Sequence, residues 1–244
     1  MAFEKDNIEH YNQIYKDQEC VIITCGPSLN EYTKQSILDF CKNKKIICIK
    51  EAIIEFKDHA DFFIANHSRH RNFTFNENTI KIYQQSTHFK RDKTVTTDYD
   101  ITLMEDDSYS NKLQLLKTHD FDKYNLVNNK LRPWGPGILY ETVFYLCLFM
   151  GFKNVYTIGW DLMDTINEQP TKLTHYFEDN KDTNYINSAR WNNQRSVNKY
   201  YNEMKMVNEN IGFMYDYFKN NEMNIIVVGE QSFVNSYIPR ILLK

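Results

Sequence analysis

The stretch CVIITCGPSLNEY, Cys20–Tyr32, decides the fold. Its apolar run, Val21 to Ile23 and on through Thr24 and Cys25, has the composition of a strand buried on both faces, as central strands of parallel sheets are. Gly26-Pro27 ends the run. Ser28 or Asn30 can then cap a helix that is expected to reach about Cys41, with Glu31 in its first turn. A buried strand that turns through glycine and proline into a helix reads as the start of a βα unit. Such a turn aims the helix's free N–H groups and positive end at whatever lies over the strand. Gly26 would let backbone approach a phosphate closely, although the same dipeptide also serves plain tight turns. The stretch is neither G-x-G-x-x-G nor a Walker A loop.

Outward from this stretch, strands are expected at Lys45–Glu51, Ala60–Asn66 and Thr79–Gln85. Residues 90–132 read as a loop-rich insertion with one helix near Asn111–Thr118. Gly135-Pro136-Gly137 opens a helix over Ile138–Met150, which Gly151 stops, and Asn154–Ile158 is another buried strand. Residues 163–195 are polar and poor in aliphatic side chains, the pattern of an active-site lid. A long helix from Val197 to Asn220, a strand before Gly229 and a short helix complete the reading, and residues 1–17 suit a polar amphipathic helix. The expected architecture is one α/β domain over 1–244, with a mainly parallel, doubly wound, Rossmann-like sheet and a lid near 163–195.

Composition narrows the function. The chain has 244 residues and a net charge of −3, without the basic excess of a general nucleic-acid binder. Five cysteines without a C-x-x-C pair suit reduced thiols better than disulfides or structural zinc. The opening MAFEKDNIEHYNQ is polar, and the most apolar stretch, Ile138–Val155, is broken by Glu141 and Gly151. A cytoplasmic protein with no membrane span is expected, and SYIPRILLK near the end offers at most a peripheral membrane contact. A homo-oligomer stays open.

In doubly wound sheets ligands bind outside the carboxyl ends of the strands. Gly26-Pro27-Ser28, Lys50-Glu51, Asn66-His67, Gly159-Trp160-Asp161 and Gly229-Glu230 would all lie along that edge. His175, in TKLTHYFEDN, is the natural general base, because imidazole exchanges a proton near neutral pH.

Six stretches in order carry a resemblance: IITCGPSLNEY, IICIKEAIIEF, FFIANH, RPWGPGILYE…GFKNVYTIGWDL, THYFED and NIIVVGEQSFVNSY. Together they resemble the bacterial sialyltransferases of glycosyltransferase family 42 and the related motility accessory factors. The resemblance implies the sialyltransferase variant of the GT-A fold. It further implies a metal-independent, inverting transfer of an acidic, sialic-acid-like sugar from a CMP-sugar donor to a glycan acceptor, without a further cofactor. By the same resemblance His175 is the base, and Cys25, Gly26, Pro27, Ser28 and Asn66 lie against the nucleotide. Asp161 holds the ribose, and Gly159 belongs to the same substrate-binding set. Pro136, Gly137, Lys50 and a lid tyrosine, Tyr176 or Tyr185, lie at the leaving phosphate. The chain departs from the family pattern at Cys25 and Lys50, where asparagines are usual, at Pro136, near a phosphate-binding serine, and at Met163, where a tyrosine is usual.

Rival motifs compete. Asp98-Tyr99-Asp100 and Asp120-Phe121-Asp122 have the Asp-x-Asp form used to hold a divalent metal and diphosphate, yet neither follows a clean strand. Glu105-Asp106-Asp107 reads as a solvated acidic run. NHSRHRNF, Asn66–Phe73, reads as a basic rim or a plain surface loop sooner than a zinc site. Arg190, Trp191 and Arg195 could contact an acceptor sugar. Two alternatives to the transferase are carried: a Mg-dependent pyrophosphokinase of the pterin diphosphokinase type, and an inactive nucleotide- or glycan-binding module.

Overall fold

The computed structural model describes residues 8–66, 73–86, 98–104, 114–126, 132–133, 137–162 and 194–243. Seven strands form one all-parallel sheet: β1 (Glu19–Ile23), β2 (Lys45–Ile49), β3 (Phe62–Asn66), β4 (Ile80–Ser86), β5 (Tyr99–Met104), β7 (Asn154–Ile158) and β8 (Asn224–Val228). Two-residue ladders, β6 (Arg132–Pro133) and β9 (Arg240–Ile241), extend its two edges, in the order β6-β5-β4-β3-β2-β1-β7-β8-β9. The expected α/β architecture with a Rossmann-like parallel sheet is therefore present.

Both faces of the central strands are covered, which is why β1, β2 and β3 read as continuous apolar runs rather than alternating ones. Cys20, Ile22, Ile47, Ile64, Ile82 and Ile225 point to one core. There they meet α4 (Phe144–Met150) and the stripe Met204, Val207, Ile211, Met214 and Phe218 of α5 (Gln194–Asn220). Val21, Ile23, Cys48 and Phe63 point to the other core, against α1 (Lys34–Phe40) and α2 (Ile53–Phe56). All five cysteines are free thiols, and Cys20 Sγ lies 3.8 Å from Cys147 Sγ between β1 and α4.

Several local expectations are corrected. The helix foreseen from Ser28 to Cys41 is two pieces: a 3-10 turn, Pro27–Glu31, and then α1. Tyr32 and Thr33 are extended between them, and the Thr33 hydroxyl accepts the Ser36 N–H at 3.1 Å, so the true N-cap is Thr33. Among the described residues of 1–17, only Ile8–Tyr11 is helical, as a 3-10 turn. From Asn12 to Asp17 the chain is a strap laid over the end of α4. Gln13 N–H donates to Phe149 O, Tyr15 N–H to Met150 O and Asp17 N–H to Gly151 O, so backbone donors meet the carbonyls there. Tyr15 also stacks on Phe152, with centroids 5.0 Å apart.

β5 lies inside the segment read as a loop, while α3 (Gln114–Thr118) falls within the expected helix. The helix after Gly137 begins with a π-helical turn, Leu139–Val143, and continues as α4 to Gly151, whose left-handed φ of +86° ends it. The short helix foreseen after Gly229 is a series of turns, with Arg240 of β9 donating to the carbonyls of Gly229, Glu230, Ser232 and Val234.

Replacing Thr33 by alanine removes the cap of α1 and is expected to lower stability by about 1 kcal/mol. A lower urea midpoint at unchanged slope is the readout.

Candidate functional site

β1 lies between β2 and β7, and the chain runs away from it in both directions: β2 to β5 on one side, β7 and β8 on the other. That reversal is the switch point beside which parallel α/β sheets commonly hold ligands. There the exits of β1 and β7 are joined. Gly26 N–H donates to Gly159 O at 2.8 Å, and the Thr24 hydroxyl donates to the same carbonyl. The Asp161 carboxylate accepts the Ser28 N–H at 2.6 Å. A Cβ on Gly26 would run into the Gly159 carbonyl oxygen and lie 2.8 Å from Asp161 Cγ, so glycine is required here by close approach.

The free N–H at the start of the Pro27–Glu31 turn, where the sequence suggested a phosphate, is thus already capped by the chain's own carboxylate. Burial raises the Asp161 pKa, and the Ser28 N–H works against that rise. A second clamp continues the chain of contacts. The Glu31 carboxylate accepts Glu230 N–H at 2.6 Å and Gln231 N–H at 2.7 Å, which ties the exit of β1 to the exit of β8. Ser232 then donates its hydroxyl to Trp160 O at 2.6 Å, and Trp160 Nε1–H donates to the Tyr140 hydroxyl at 2.8 Å.

Of the residues expected at the site, Cys25, Gly26, Pro27, Ser28, Lys50, Asn66, Gly159 and Asp161 all stand at or just past the carboxyl ends of β1, β2, β3 and β7. Gly137 precedes the π-helical turn, with Tyr140 N–H and Glu141 N–H both donating to its carbonyl. Cys25 is turned aside: its thiol donates to Ile49 O at 3.3 Å and lies 3.6 Å from Glu51 Oε2. Burial, with Glu51 beside it, pushes that thiol up to about 12, so it is a neutral packing group. Lys50 takes a left-handed φ of +52° directly after β2, a strained conformation for a residue with a Cβ. Pro136, Met163, His175, Tyr176, Tyr185, Arg190 and Trp191, and with them most of the expected lid, lie outside the described residues; Gln194 and Arg195 begin α5.

Three buried polar atoms here have no hydrogen-bond partner among the described residues: Ser28 Oγ, Asp161 Oδ1 and Asn66 Oδ1. Buried polar atoms are normally satisfied, and these three stand at or just past the carboxyl ends of β1, β7 and β3.

Sequence reading missed a second polar group. Gln84 of β4 donates its amide N–H to Glu141 of the π-helical turn, and the Thr142 hydroxyl donates to Gln84 Oε1 at 2.9 Å. All three residues are buried. Buried polar residues inside apolar runs, and a glutamate inside LYETVFYLCLFM, were the available signal. Glu203 was missed as well. It sits on the core-facing stripe of α5, four residues before Val207, and burial pushes its carboxyl from 4.5 up to about 7. Asn208, one turn further on, accepts Asn235 N–H and donates to Phe233 O, both in the loop after β8, so Glu203 stands beyond the level of the strand ends.

The Asp-x-Asp motifs lie elsewhere. Asp98 accepts Lys81 N–H at 2.8 Å near the amino ends of β4 and β5, the opposite edge of the sheet. Asp120 pairs with Lys123, and Asp122 accepts the Tyr217 hydroxyl. No group of three or more histidine, cysteine or acidic residues able to hold a metal occurs among the described residues. No helix among them is long and apolar enough to cross a membrane. In comparisons with known proteins, no family model matches the chain and no curated protein matches it.

Gly26→Ala forces two backbone segments apart and is expected to cost more than about 2 kcal/mol in urea unfolding. The folded state holds the Glu203 proton more tightly than the unfolded chain, so stability falls as pH rises from about 4.5 to about 7, by up to about 3 kcal/mol. Glu203→Gln flattens that part of the stability–pH curve, measured by thermal unfolding across the range.

Proposed function

We propose that the chain is a metal-independent, inverting glycosyltransferase that moves an acidic, sialic-acid-like sugar from a CMP-sugar to a glycan acceptor. The observation that supports it best is the set of three buried, unpartnered polar atoms beside the switch point, on Ser28, Asp161 and Asn66. Asp161 uses one oxygen to cap Ser28 and keeps Oδ1 as an acceptor, which suits a hydroxyl of a ribose. The resemblance to the family 42 sialyltransferases supplies the rest of the reading.

In this reading the nucleotide lies across the exits of β1 and β7. The leaving phosphate meets Lys50 and the turn at Gly137, with Pro136 and a lid tyrosine, Tyr176 or Tyr185, beside it. A full positive charge on Lys50 replaces the amide contact that the family pattern would make. The acceptor hydroxyl attacks the anomeric carbon from the face opposite CMP. Its proton passes to His175 as the new carbon–oxygen bond forms, and the bond to CMP breaks with its electron pair on the phosphate oxygen. The carbon inverts in this single displacement. Donor-binding groups fixed before the reaction lower the barrier without further reorganisation.

A thermal-shift panel of CMP, CDP, UDP, GDP and ATP, with magnesium or EDTA, tests the nucleotide. Stabilisation by CMP in EDTA is expected, about 2.7 kcal/mol at a hundredfold excess over Kd. Stabilisation by ATP with magnesium alone would replace this reading by the pyrophosphokinase. His175→Ala is expected to retain CMP binding and lower CMP-sugar turnover by about 10²–10⁴-fold; unchanged turnover would remove His175 from the mechanism.

A further inference from the structure

Gln84 and Asn66 are register partners on β4 and β3. Both continue the face that Ile82 and Ile64 present to the α4 core, so their side chains stand side by side under the π-helical turn. The amide of Gln84 is fixed in one orientation, its nitrogen donating to Glu141 and its oxygen accepting from Thr142. With Gln84's amide nitrogen turned to Glu141, Asn66 Oδ1 remains a buried acceptor without a donor among the described residues. π-Helical turns often mark functional positions, and this one brings Glu141 to the same end of the sheet.

Distance decides what this acceptor meets. The Asp161 carboxylate lies against Gly26 and Ser28 at the exit of β1, two strand intervals from β3, which ends at Asn66. At about 4.8 Å per interval that is about 10 Å. On the donor reading, with the ribose at Asp161 and the phosphate at Lys50 just past β2, whatever the phosphate carries falls beyond it, at β3 and β4.

Resting on the donor reading above, we propose that Asn66 Oδ1 contacts the transferred sugar rather than the nucleotide. It accepts a hydrogen bond from a hydroxyl or amide N–H of that sugar, and Glu141, Gln84 and Thr142 act as positioning residues. The site therefore takes a transferred group that carries donors away from its anomeric centre, a polyhydroxylated or N-acylated sugar.

The test compares Kd for CMP and for CMP-N-acetylneuraminate and CMP-3-deoxy-manno-octulosonate, by calorimetry in EDTA. Wild type is expected to bind at least one CMP-sugar more tightly than CMP. Asn66→Ala should weaken that CMP-sugar about tenfold and leave CMP unchanged. Asn66→Asp keeps the acceptor and should weaken it less than alanine does. Glu141→Gln should also weaken the CMP-sugar alone, and its retained CMP affinity shows that it is folded. If Asn66→Ala weakens CMP and CMP-sugar equally, or neither, or if no CMP-sugar outbinds CMP, the proposal is overturned while the cytidine reading stands. If wild type does not bind CMP at all, the donor reading itself fails, and the assignment of Asn66 with it.

Discussion

The hydrogen bond from the Ser28 amide to the Asp161 carboxylate holds the centre of this molecule together. It joins the exits of β1 and β7 at the point where the sheet changes direction. Close contact of Gly26 with Gly159 permits it, and the neighbouring clamp of Glu31 on the amides of Glu230 and Gln231 extends it to β8. Arg240 holds the carbonyl side of the same β8 loop. Three loops from three strands are fixed by carboxylates and one guanidinium, each making hydrogen bonds to charge, which are stronger than neutral ones.

This joint also sets the chemistry of the switch point. In many nucleotide-binding sheets the amides after the first strand are open to phosphate. Here an internal carboxylate already occupies the Ser28 amide, and another occupies the amides after β8. What remains includes two acceptor oxygens, on Asp161 and Asn66, and a hydroxyl that can act either way, on Ser28. On the proposed donor reading such a surface would accept hydroxyl and N–H groups of a ligand, and positive charge for a phosphate would come from a side chain such as Lys50.

The apolar runs made the sheet legible. Val21–Ile23 could be read as a strand because burial on both faces leaves no alternation to misread, and Asn154–Ile158, with Asn154 and Tyr156 only partly buried, matches the expectation at both ends. The break at Tyr32–Thr33 was hidden, because Glu31 is drawn to a loop about 200 residues away and local helix signals carry no trace of that pull. β5 was hidden by the aspartates around Tyr99; Asp98 is bonded to Lys81 at the start of β4, a partner only the fold supplies. At the site, the strand-end glycines and Asp161 were visible because turns at strand ends have their own residue signature. Gln84 and Glu141 were not, since each looks like an isolated polar residue until β4 and the π-helical turn meet.

The position of β1 has a consequence for how the chain becomes ordered. Its two neighbours are made at very different times: β2 comes almost at once, while Asn154, which bonds to Glu19 across the ladder, is 135 residues further on. During synthesis the half-sheet β1–β5 presents an open β1 border of bare amides and carbonyls until β7 emerges. Closing so long a loop makes the final zipping step slow, and the unpaired border is where nascent chains would pair with one another.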